Sequence, residues 1–174
     1  KIPQGGMPTD AYLDVKELWF NGESVQVINQ PKAHTDGDSI VYFRKSDVIS
    51  AGDIYSTTSY PVIDTGRGGS IQGVIEGLNH ILDLAVPETN AEGGTRIIHG
   101  HGRLADEGDV VEYRNMVVII RARIQDLVKK GMTIAQVRAA KQTLDYDFRS
   151  GATPVAAAAD QCTEPVHTAA RKRD

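Results

Sequence analysis

Apolar and polar positions change their spacing several times along this chain, and each change marks an element. From Asp14 to Gln30 the sequence reads DVKELWF-NG-ESVQVINQ, two β-prone runs flanking Asn21-Gly22. Asn-Gly tolerates the positive φ angles of a type I′ turn, so the pattern predicts a β-hairpin. In its second strand Val25, Val27 and Asn29 alternate with Gln26 and Ile28, which predicts one buried face and one partly covered face. Pro31 ends that strand, KAHTDGD is a loop by composition, and residues 39–43 read as a short buried strand. Residues 47–50 form the next strand, running into Ala51-Gly52-Asp53.

The period then lengthens. Residues 56–70 carry few periodic apolar positions and read as a long loop. Ser70 is placed to cap a helix over 71–84, whose apolar side is Ile71, Val74, Ile75, Leu78, Ile81, Leu82 and Ala85. Pro87 and the NAEGG run stop it. Residues 95–98 form a strand that enters the turn His99-Gly100-His101-Gly102. Asp106 or Glu107 starts a second helix that reaches about Lys130, with Gly131 as its C′ residue. Thr133 caps a third helix over 134–141, with Gln136 completing a capping box. This predicts an α/β domain over 1–150. Residues 151–174, Ala-rich with two prolines and few large apolar residues, predict a flexible tail.

Composition narrows the function classes. A chain of 174 residues is long enough to bury a core. With a net charge of -4 it has no broad basic field to recruit nucleic acid or anionic lipid, so neither is an expected partner. Its one cysteine, Cys162, cannot close an intrachain disulfide. No apolar run approaches the roughly 18 residues that span a bilayer. KIPQGGMPTD has no secretory pattern, which leaves the compartment open between cytoplasm and export after signal removal.

Candidate chemistry gathers at strand ends. If those ends share one edge of a sheet, His34 of the KAHTDGD loop, Asp53 after DVISAG and His101 of HGHG meet. Imidazole and carboxylate suit zinc, and a carboxylate between two imidazoles can bridge two ions. Taken singly, each residue has an ordinary structural explanation. Gly66-Arg67-Gly68-Gly69-Ser70 before a helix has the look of an anion nest, or simply of a loop feeding a helix. Residues 55–60 and Arg67 are placed to line a pocket.

In order and spacing, HTDGDS at 34–39, AGD at 51–53 and IIHGHG at 97–102 resemble the metallo-β-lactamase superfamily, over residues 11–130. The resemblance implies the C-terminal half of an αβ/βα sandwich. It also implies a zinc-dependent hydrolase of small-molecule esters, thioesters or amides, glyoxalase-II-like in type. It makes His34 the third histidine ligand of a first zinc, Asp53 the shared and catalytically orienting carboxylate, and His101 the last histidine of a second zinc. Thr35 and Ser39 become supporting residues. The family's His-x-His-x-Asp-His motif, which carries the other ligands, does not occur among the five histidines here, and His99 stands where the family usually has Pro.

Three ligands divided between two ions bind weakly. The expectation is therefore a fragment or truncated form that holds zinc poorly and turns over little alone. The alternative is a non-catalytic half-fold. Half a sandwich leaves a sheet face bare, which predicts a homo-oligomer or a complementing N-terminal half.

Overall fold

The computed structural model describes residues 3, 5–7 and 9–148. The expected tail, with Cys162, lies outside them. Five strands form one sheet in sequence order: β1 Val15–Phe20, β2 Glu23–Gln30, β3 Asp38–Phe43, β4 Val48–Gly52 and β5 Arg96–His99. The first four make an antiparallel meander, and β5 joins β4 in parallel. That last pairing needs a crossover, which carries α1 Ile71–Leu84; α2 Glu107–Lys129 and the short α3 Ile134–Ala139 follow β5.

The hairpin turns at Asn21 (φ 50°) and Gly22 (φ 79°), as the Asn-Gly pair predicts. Register then sorts side chains into two faces. Ile28 faces Ile40, and Gln26, Tyr42, Ile49 and Ile97 run across β2 to β5 as partners. This face is covered: Ile40, Ile49 and Ile97 are fully buried against Val74, Leu78 and Ile81 of α1 and Val110, Val117, Ile120 and Ile124 of α2. The helical periodicity named the α1 positions because residues three and four apart share one side of a helix, and those of α2 keep the same spacing.

Across the other face Leu18, Val25, Phe43 and Val48 line up as partners, and beside them Val27, Val41, Ser50 and Ile98. None of these eight belongs to the core cluster, and no described helix packs on them. Leu18 is 42% exposed and Ile98 48%. The sheet is thus dry on one side and apolar but open on the other. Lys16, Ser50 and Arg96 share these two rows, so the open face is apolar at its centre and polar at its edges, where an antiparallel sheet facing water carries more polar positions throughout.

Local chemistry corrects three boundaries. Asp47 is a left-handed turn residue (φ 52°) whose carboxylate accepts from Thr95 Oγ1 at 2.8 Å, so β4 starts one residue later than expected and runs to Gly52. In the β3 run predicted to be buried, only Ile40 is sealed, because Val41 and Phe43 point to the open face. The third helix stops at Ala139 because Lys141 adopts φ 47°.

Caps fix the helix starts. Ser70 accepts from the Gly73 N–H at 3.0 Å. Asp106 accepts from Asp109 N–H at 2.9 Å, while the Asp109 carboxylate accepts from the Asp106 N–H at 3.3 Å and from both Arg103 guanidinium nitrogens at 2.8 and 2.5 Å. The Asp109 carboxyl is held below the usual carboxylate value, first by the Arg103 hydrogen bonds. Gly73 packs the start of α1 against the loop before β3, where an added Cβ would lie 1.9 Å from the Lys32 carbonyl oxygen.

Two outcomes follow for stability. Gly73→Ala should lower it by about 2–3 kcal/mol in urea titration, since backbone leaves no side chain to move aside. Asp109→Asn should cost about 1 kcal/mol at neutral pH through the cap, the exposed guanidinium adding little. A carboxyl depressed in the fold stabilises above its unfolded value and loses that effect as pH falls through the folded value. The gap between parent and Asp109→Asn should therefore narrow from pH 7 to pH 3, and an undiminished gap would show that the charge is irrelevant.

Candidate metal centre

Strand directions bring the three candidate residues to one edge. β3 runs antiparallel to β4, so the loop before β3 and the end of β4 lie at the same end of the sheet. β5 runs parallel to β4, so its end joins them. The ends of β4 and β5 are tied by the Gly100 N–H, which donates to the Gly52 carbonyl at 2.7 Å. An added Cβ on Gly100 would sit 2.0 Å from Asp53 Oδ1, so only glycine lets that carboxylate lie over the turn. Ile97 and Ala105 exchange both backbone bonds (2.9 and 3.0 Å), closing residues 98–104 into a loop that displays His101.

His34, Asp53 and His101 line one open cleft of about 170 Å³, together with Tyr55, Tyr60 and Val62. His101 Nε2 lies 3.5 Å from Asp53 Oδ1, and both side chains are largely in solvent. His34 Nδ1 is 2.8 Å from the Val62 carbonyl. A carbonyl only accepts, so the proton sits on Nδ1 and the Nε2 lone pair is left available, the arrangement a ligating histidine needs. The Asp64 N–H donates to the His34 carbonyl at 2.9 Å and the Asp36 N–H to the Arg67 carbonyl at 2.8 Å, pinning the loop on both sides of its imidazole.

The donor chemistry suits zinc; the donor count does not. Among the described residues no three His, Cys, Asp or Glu side chains converge closely enough to hold an ion. His99 adds nothing to the cleft. Its Nε2 lies 2.7 Å from the Arg103 carbonyl, its Nδ1 is buried without a partner, and its ring meets Tyr55 edge to face at 5.0 Å. The two supporting residues brace the loop: Thr35 N–H donates to Asp38 at 2.7 Å, and Ser39 Oγ lies 2.6 Å from the Tyr12 hydroxyl.

The Gly-rich stretch before α1 feeds the helix and forms no anion nest. Its N–H groups are spent internally, Arg67 and Gly69 on Asp64 and Ser70 on Lys32 and Ala33. Arg67 pairs with Asp64 and does not reach the cleft, whereas Tyr55, Ser56, Ser59 and Tyr60 do. Tyr113 also lines it, from a position on α2 that the apolar periodicity passed over. Its signal was present: 113 falls three residues after Val110 and four before Val117, on the buried side.

No protein-family model and no curated protein matches the sequence. Solved structures do match the fold. A stereoselective inverting sec-alkylsulfatase from a Pseudomonas species superposes with a TM-score of 0.66 at 11% identity, over 88% of this chain and 26% of its own. A metallo-β-lactamase family protein from Thermus thermophilus gives 0.58 at 18% identity, over 96% and 50%. A metallo-β-lactamase from Pontibacter korlensis gives 0.51 at 11%, over 64% and 49%. The chain spans half or less of each of these structures. No helix among the described residues is long and apolar enough to cross a membrane. A mixed five-stranded sheet with helices on one face, matched across these structures, gives the chain the fold of the metallo-β-lactamase superfamily, as a part of its sandwich.

Proposed function

We propose that this chain is the part of a metallo-β-lactamase-fold hydrolase that contributes His34, Asp53 and His101 to a zinc site, the remaining ligands coming from a second sheet that closes the open face. The observation that carries this is the single cleft lined by all three residues at the edge of a sheet whose other side is apolar and uncovered. The matched structures are two to four times the length that this chain spans, which leaves room in that fold for the covering half. Zinc, once its remaining ligands were supplied, would provide a water acidic enough near neutral pH for hydrolysis of a small-molecule ester, thioester or amide. His34 offers Nε2 from a loop held by backbone bonds, Asp53 orients the attacking oxygen, and His101 completes the edge. A non-catalytic half-fold is the second reading, favoured by the failure of three donors to converge among the described residues.

Zinc titration by calorimetry separates the two. The 174-residue chain should bind zinc at micromolar strength or weaker, and His34→Ala, Asp53→Asn and His101→Ala should each weaken it further while leaving the fold intact. Folded variants that bind zinc as the parent does would favour the non-catalytic reading. Tight stoichiometric zinc with ester turnover abolished by His34→Ala would instead show that no further ligands are needed.

The open face makes its own demand. With no complement present, the chain should associate with itself through that face in sedimentation velocity, and the double change Val41→Lys, Phe43→Lys should shift it toward monomer. A parent that stays monomeric at every concentration sinks the covering-sheet proposal.

A further inference from the structure

A second cleft of about 200 Å³ adjoins the candidate metal centre and shares Tyr55, Ser56, Ser59 and Tyr113 with it. Tyr55, Tyr113, Tyr146 and Met116 make its apolar walls. Tyr55 and Tyr113 meet edge to face at 5.1 Å, and Tyr146 is steadied by the Arg123 guanidinium 6.0 Å from its ring centre. These walls are fixed before any ligand arrives, as binding clefts usually are.

The polar groups of this cleft differ in what they have left to give. Arg103 and Asp109 spend their charges on each other through two short bonds. Thr57 Oγ1 accepts from the Arg103 N–H at 3.1 Å, and Ser59 donates to Ser56 at 3.2 Å. Tyr55 is 2% exposed, yet its hydroxyl makes no hydrogen bond among the described residues. A hydroxyl not already bonded within the protein, on a residue that lines the cleft, can donate to a ligand there. Two carboxylates, Asp109 and Glu112, and one guanidinium, Arg103, line this cleft, a balance that disfavours an anion.

We infer that this cleft receives the non-reacting arm of the substrate, an uncharged aromatic-sized group whose carbonyl or ether oxygen accepts from the Tyr55 hydroxyl. The volume, below the roughly 300 Å³ of a whole small-molecule site, suits one arm and not a complete substrate. Three aromatic edges and a thioether favour a flat ring. In naming the substrate's arm the inference rests on the proposed hydrolase; the binding event itself requires no metal.

The test uses metal-free 174-residue chain and two near-isosteric probes, phenylacetamide and phenylacetate, titrated into ¹⁵N-labelled protein. Phenylacetamide should move the amides of Thr57, Arg103, Tyr113 and Met116, and phenylacetate should bind about tenfold more weakly. Tyr55→Phe, which keeps the ring packing, should weaken phenylacetamide about threefold to tenfold, the worth of one hydrogen bond. Met116→Trp should abolish binding by filling the space. Equal binding of the anion, perturbations away from these residues, or unchanged affinity in a folded Tyr55→Phe would each overturn the inference. Because zinc is absent throughout, failure here leaves the zinc result untouched, and failure there leaves this one standing.

Discussion

Parallel pairing of β4 with β5 is the constraint on which the candidate site depends. A parallel neighbour brings two strand ends, far apart in sequence, to the same edge. Here it sets Asp53 beside the loop of His99 to His101. Each strand runs into a turn too tight to hold a side chain on both sides, which is why Gly100 must be glycine where Asp53 lies over it. The crossover that the parallel pair demands carries α1, and the glycine at the third position of that helix seats it against the His34 loop. One hydrogen-bonding pattern thus positions all three residues, and the helix that covers the core also presses the first of them into place.

The same sheet is asymmetric in what it buries. On one side Ile40, Ile49 and Ile97 are sealed under two helices. On the other, Leu18, Phe43, Val48 and Ile98 form an apolar surface with no described cover. An open apolar face and a cleft with too few donors are separate observations with one physical resolution. The proposed second sheet, packed on that face at ordinary sheet-to-sheet distance of about 10 Å, would bring its own strand ends to the edge of His34, Asp53 and His101.

Much of this was legible from spacing. The Asn21-Gly22 hairpin, the Ser70 and Thr133 caps, and the apolar stripes of α1 and α2 are local, and local rules found them. His34, Asp53 and His101 were legible as a group only through the order of their motifs, since nothing in periodicity says that three strand ends share an edge. Asp47 shows why boundaries slipped: its neighbours are strand formers, but its carboxylate finds Thr95 48 positions away and holds a turn instead. Tyr55 was expected at a pocket from its place in the loop, whereas Tyr113 was missed as a cleft residue for a related reason. A tyrosine at helical spacing reads as core, and only tertiary packing reveals that the Tyr113 hydroxyl reaches the Ser59 carbonyl, at 3.1 Å, beside the cleft.

The hydrogen bonds around His34 bear on the order of events at such a site. Its carbonyl accepts from Asp64, its Nδ1 faces the Val62 carbonyl, and Asp38 braces the next residue. In small metal-folded domains the ion supplies the folding free energy, and the ligands scatter when it leaves. Here the backbone does that work, and the buried faces of α1 and α2 supply the stability. On the proposed reading, a covering half would then only have to add donors to an edge that protein hydrogen bonds already hold.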